Sequence, residues 1–142
     1  MPITTSFPLP PTPESLLLPT TAIATAEERF VISFHASIDP GTKKPWCPDV
    51  GAAIPHLTEV FSTPDAPTVA FVEVGLRAEW KEPTNTFRTK WDIAYVPTLV
   101  RFEGDGGDGK GKVKETGRLV EGEILDRRKL REFVFGREEA KV

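Results

Sequence analysis

The chain has a single cysteine, Cys47, so no internal disulfide can form and the fold must be held by burial rather than by covalent staples. It has only two histidines, His35 and His56. They are scattered relative to Cys47, match no zinc-ligand spacing, and no metal site is expected. Lysine and arginine are absent before Arg29, so the N-terminal stretch lacks both the basic region of a signal peptide and the arginines of a mitochondrial presequence. No targeting segment is expected. Long hydrophobic runs are missing as well: Leu16-Leu17-Leu18 is stopped by Pro19, far short of the roughly 20 residues that span a bilayer. Basic charge is in slight deficit, with 18 Lys and Arg against 21 Asp and Glu, so nothing favours capture of nucleic acid or of an anionic membrane. A monomer in the cytoplasm is the expectation.

A hydrophobic share of 39% over 142 residues is enough for one core. We expect a single domain over 1–142, with 1–29 as an irregular Pro- and Thr-rich extension that includes a short strand near Ile3 and a helical turn after Pro13. Phe30-Val31-Ile32-Ser33-Phe34-His35 reads as a strand buried on both faces, and Thr68 to Val74 as a second. Between them, Val50, Ile54, Leu57, Val60 and Phe61 mark one face of a helix from Pro48 to about Phe61, with proline in the first turn, where its missing N–H costs nothing. A short helix containing Phe87, Arg88 and Trp91 is expected within 81–91. Thr98 to Phe102 and Val113 to Val120 should form a hairpin, followed by an amphipathic helix from about Leu125 to Phe135. Its charged residues Arg127, Arg128 and Lys129 read as a solvated face opposite Leu125, Leu130, Phe133 and Val134. The sum is an α/β fold with a mixed sheet and helices on both faces.

Residues 104–111 also match the pattern G-x-x-x-x-G-K. Gly111 stands where a phosphate loop needs Ser or Thr, and the following residues alternate as a strand, so the segment reads as a hairpin turn.

Chemistry concentrates at Trp46-Cys47-Pro48-Asp49-Val50. A cysteine reacts as its thiolate, and the start of a helix favours that anion through the macrodipole and unpaired N–H groups, whereas Asp49 opposes it. Trp46 would cover the flank of the sulfur and offer a partner an apolar contact. His56 lies about 13 Å along the helix from Cys47 at 1.5 Å per residue, too far to act as its base.

PWCPDV, AAIP, Val74-Gly75, WKEPTNTFR and Val96-Pro97-Thr98-Leu99 stand in an order that resembles the thioredoxin domain-containing protein 17 family, over about residues 30–104. The resemblance implies a thioredoxin-like fold, a kink-forming proline at Pro55 and a cis-proline at Pro97. It also implies that the backbone of Val96, with Pro97 and Thr98, holds an extended substrate segment. The family's activity is reduction of protein and small-molecule disulfides with electrons from thioredoxin reductase. The family motif is Trp-Cys-Pro-Asp-Cys, and Val50 stands in place of the second cysteine. Since the second thiol resolves the mixed disulfide, the chain is limited to a monothiol reaction completed by an external thiol such as glutathione. No other cofactor is expected. Two functions stay open: a monothiol protein-disulfide reductase in which Cys47 is the nucleophile, and a redox-inactive thioredoxin-fold module that binds extended or Cys-containing partners.

Overall fold

A computed structural model describes residues 3–4, 29–63, 66–104 and 113–135. Its strands are β1 (Ile3–Thr4), β2 (Arg29–His35), β3 (Ile38–Asp39), β4 (Lys44–Pro45), β5 (Thr68–Glu73), β6 (Thr98–Gly104) and β7 (Val113–Val120). The helices are α1 (Pro48–Phe61), α2 (Arg77–Trp80), α3 (Thr86–Thr89) and α4 (Arg127–Phe135), with a 3-10 turn at Glu121–Leu125 before α4. The main sheet runs β1-β5-β2-β6-β7. β2 pairs parallel with β5 and antiparallel with β6, β1 pairs parallel with β5, and β7 pairs antiparallel with β6. This is the expected mixed α/β sheet.

The central strand explains the two-layer core. Successive side chains of β2 point to opposite faces. Phe30, Ile32 and Phe34 enter one cluster with Ala70, Val100, Phe102, Trp80 and Trp91. Val31 enters the other, where Leu57 and Phe61 of α1 meet Val69, Leu99, Leu130 and Phe133. Both faces are dry, which is why the sequence of β2 is nearly continuous in apolar residues. The connection from β2 to β5 carries α1, whose buried residues Val50, Ala53, Leu57, Val60 and Phe61 recur at helical spacing. Pro55 lies within α1, where its missing N–H leaves the carbonyl of Gly51 without its helical donor, and both residues are exposed.

The structure corrects several local expectations. Trp91 is not helical: α3 ends at Thr89 and Trp91 is buried in the core between Phe34 and Phe102. Asn85 fixes the start of α3, because its side chain accepts from Phe87 N at 2.8 Å and donates to the carbonyls of Val74 and Glu79. The segment before Cys47, for which no strand is expected from the sequence, forms a short hairpin: β3 and β4 pair through Ile38↔Pro45 and Asp39↔Lys44. Asp39 Oδ1 closes that turn by accepting from Gly41 N at 2.7 Å and Thr42 N at 3.3 Å. The last helix begins at Arg127 rather than Leu125, since Asp126 Oδ1 accepts from Arg128 N and Lys129 N as an N-cap does. Leu125 is therefore 40% exposed rather than part of the buried face, which is made by Leu130, Phe133 and Val134. The expected strand near the N-terminus is present as β1, whereas the helical turn after Pro13 and the glycine-rich turn at 105–112 lie outside the described residues.

Asp126→Ala removes both capping hydrogen bonds and is expected to lower stability by about 1 kcal/mol, read as an earlier midpoint in urea unfolding with an unchanged slope.

Candidate functional site

Cys47 is the N-cap of α1, with extended backbone (φ −101°, ψ 119°), and its carbonyl accepts from Val50 N at 3.1 Å and Gly51 N at 3.4 Å. Pro48 fits the first helical position because it has no N–H to satisfy. The sulfur is half-buried and free of disulfide. Sγ donates to the carbonyl of Val96 at 3.7 Å, so the thiol faces the Val96-Pro97-Thr98 turn from 49 residues away in sequence. The Val96–Pro97 peptide is cis. Val96 is buried and Thr98 Oγ1 donates to Tyr95 O at 2.6 Å, which ties the turn to its own backbone. Asp49 is exposed in the first turn of α1. Val50 is fully buried and belongs to the cluster of Phe34, Ala36 and Val96.

The loop carrying the thiol is held from the other side by Gly75. Its carbonyl accepts from Trp46 Nε1 at 2.8 Å and from Ser37 N at 3.2 Å, while Gly75 N donates to Ser37 Oγ at 3.0 Å. Trp46 N also donates to Ser37 O at 3.3 Å. Gly75 has φ +112°, and a Cβ there would stand 2.9 Å from the Cβ of Glu79, so glycine is required on two counts. Arg77 completes the arrangement: its guanidinium lies 5.1 Å from the Trp46 ring centroid and donates through Nη2 to Trp46 O at 3.3 Å. Three exposed apolar residues, Ile38, Leu76 and Tyr95, directly follow Ser37, follow Gly75 and precede Val96.

Sequence reasoning picked out Trp46, Cys47, Pro48, Asp49, Val50, Val96, Pro97 and Thr98. The fold brings the thiol to the Val96 turn and buries Val50 beneath it, while Asp49 faces outward. Ser37 and Arg77 were missed. Ser37 gives no signal in a polar loop, and Arg77 looks like any surface cation until Gly75 folds it back over Trp46.

Among the described residues neither histidine bonds Cys47. His35 is buried on β2, where Ser33 Oγ and His35 Nε2 lie 2.6 Å apart and the ring packs 4.7 Å from Phe71. Burial pushes its pKa down from 6.5 to about 4, because the cation is denied water. No group of three or more His, Cys, Asp or Glu able to hold a metal ion occurs among the described residues, and none of their helices is long and apolar enough to cross a membrane.

Comparison with known proteins adds to this geometry. Residues 16–126 match the family model described as thioredoxin domain-containing protein 17-like, thioredoxin domain. A thioredoxin domain-containing protein of Schizosaccharomyces pombe is 40% identical over 115 residues, covering 81% of this chain and 90% of that protein. Human thioredoxin domain-containing protein 17 is 34% identical over 70 residues, covering 49% of this chain and 56% of that protein. The structure of Trichomonas vaginalis thioredoxin superposes with a TM-score of 0.50 at 14% identity, covering 92% of this chain and 94% of that one, a likeness of fold alone.

Two outcomes test the site's construction. Gly75→Ala should lower stability by about 1–3 kcal/mol through the strained φ and the clash with Glu79, measured by urea unfolding. For His35, the unfolded chain takes up a proton below pH 6.5 while the folded chain resists it down to about pH 4. Stability is therefore full above pH 6.5 and falls as pH drops through that window, by on the order of 3 kcal/mol. His35→Gln should remove this component, so the difference between wild type and variant in chemical unfolding should change between pH 7 and pH 4 and level off below it.

Proposed function

The chain belongs to the thioredoxin domain-containing protein 17-like family, a thioredoxin-related redox role goes with that membership, and from this premise we propose a monothiol thiol–disulfide oxidoreductase with Cys47 as its nucleophile. The observation that carries this reading is the half-buried Cys47 sulfur at the helix start, 3.7 Å from the carbonyl of Val96.

The chemistry follows from those contacts. Once Sγ gives up its proton it can no longer donate to Val96 O, and that carbonyl becomes available to a backbone N–H of an extended substrate, in the manner of strand addition. The Cys47 thiolate attacks one sulfur of the substrate disulfide, and the S–S electron pair leaves with the other sulfur, which takes up a proton. The product is a mixed disulfide on Cys47 at the N-terminus of a 14-residue helix. Val50 has no thiol to attack this intermediate, so an external thiolate must do so, releasing Cys47 as thiolate and carrying away the oxidised sulfur pair. Exposed Tyr95, Leu76 and Ile38 around the site supply apolar contact for a protein substrate.

The same site without turnover would serve as a binding module for extended or Cys-containing partners. The two are separated by steady-state reduction of a glutathionylated peptide in the presence of glutathione. The enzyme reading expects catalysis above the uncatalysed rate that disappears in Cys47→Ser. Formation of a mixed disulfide without turnover would instead support the binding module. A second expected outcome concerns Val50→Cys: Val50 is three residues past Cys47 on α1, so mild oxidation should give an intramolecular disulfide, seen by mass as the loss of two hydrogens, and should confer dithiol reduction.

A further inference from the structure

A groove of about 670 Å³ lies against the residues on either side of Cys47, within the range of roughly 300–1,000 Å³ typical of small-ligand sites. Its walls include Trp46 and Pro48, the two residues flanking Cys47, together with Leu76 and the charged residues Asp39, Lys44 and Arg77. Two of these three charges are positive, in a chain that is net −3. The one carboxylate is already committed, since Asp39 Oδ1 accepts two backbone N–H groups of its own turn. Lys44 and Arg77 form no ion pair with any described residue. Arg77 is held rather than loose: one nitrogen bonds Trp46 O and the guanidinium lies over the indole, leaving its remaining N–H groups for a ligand. A planar guanidinium fixed in this way suits a carboxylate, which it can bind through two parallel hydrogen bonds.

Resting on the monothiol reading, we propose that this groove recognises the carboxylates of a small acidic thiol of the glutathione class, with Lys44 and Arg77 as the recognising cations. The chemistry balances in two exchanges. The Cys47 thiolate attacks the glutathionyl sulfur of a protein–glutathione mixed disulfide, forming Cys47–glutathione and releasing the protein thiolate, which takes a proton. A second glutathione, as thiolate, then attacks the glutathionyl sulfur on Cys47, forming oxidised glutathione and regenerating the Cys47 thiolate. Lys44 and Arg77 hold the glutathionyl group beside the reacting sulfur. An acidic thiol is thereby favoured over a neutral one of the same reactivity.

The test compares glutathione with its diethyl ester as the reducing thiol, using one glutathionylated peptide and normalising each rate to the uncatalysed reaction with the same thiol. Wild type should favour glutathione over the ester. That ratio should fall by about three-fold in Lys44→Gln and in Arg77→Gln, the scale of an exposed ion pair, and should shrink in high salt. The ratio is insensitive to a general loosening of the site, and Lys44→Gln leaves the Arg77 contacts to Trp46 untouched. Equal enhancement by both thiols in wild type would overturn the carboxylate site while leaving the monothiol reading standing. Catalysis with neither thiol would overturn both.

Discussion

The carbonyl of Gly75 is the constraint on which the site depends. It accepts two donors at once, the indole of Trp46 and the backbone of Ser37, and so fastens the end of β5 to the two segments that precede α1. Only a residue free to adopt φ +112° can present its carbonyl there, and only one without a Cβ can sit against Glu79. Trp46 in turn fixes the residue after it. Its carbonyl is bonded by Arg77 and its ring is pinned, so Cys47 enters α1 as an extended N-cap with its sulfur turned toward Val96. The position of the thiol is thus set by backbone carbonyls and one cation rather than by a catalytic base.

Burial of Val50 shows what the first turn of α1 demands at this position. The residue is fully enclosed by the cluster that contains Phe34, Ala36 and Val96, where a small branched apolar side chain satisfies that packing demand. The outward part of the site, with Trp46, Pro48 and the apolar rim of Ile38, Leu76 and Tyr95, is independent of that buried position. In the proposed reaction, recognition by that exposed surface and resolution of the mixed disulfide are therefore separable.

What could be read from the sequence was what short-range periodicity controls. β2, β5 and α1 follow from apolar runs or a helical stripe and β7 from alternation behind a glycine-rich turn, and their bounds in the structure differ from the reading by a residue at most. The thiol at a helix start was equally legible, because Pro48 and the stripe beginning at Val50 fix the helix boundary locally. The pairing of β3 with β4 was not, since two-residue strands carry no period and are created by the side chain of Asp39. Trp91 was misplaced in a helix because α3 is a single turn, started by Asn85 reaching back to Val74 and Glu79 in a tertiary contact and ended at Thr89. Ser37 and Arg77 escaped for the same reason: each matters only once Gly75 folds against the loop before Cys47. The resemblance supplied the pairing of Cys47 with the Val96 turn, which no spacing in the chain encodes.

The most direct test of this account follows the intermediate itself. Intact-mass spectrometry of the protein mixed with a glutathionylated peptide should show a single glutathionyl adduct on Cys47, which disappears within the turnover time when glutathione is added. An adduct that persists in glutathione, or failure of Cys47 to take up the glutathionyl group, would contradict it.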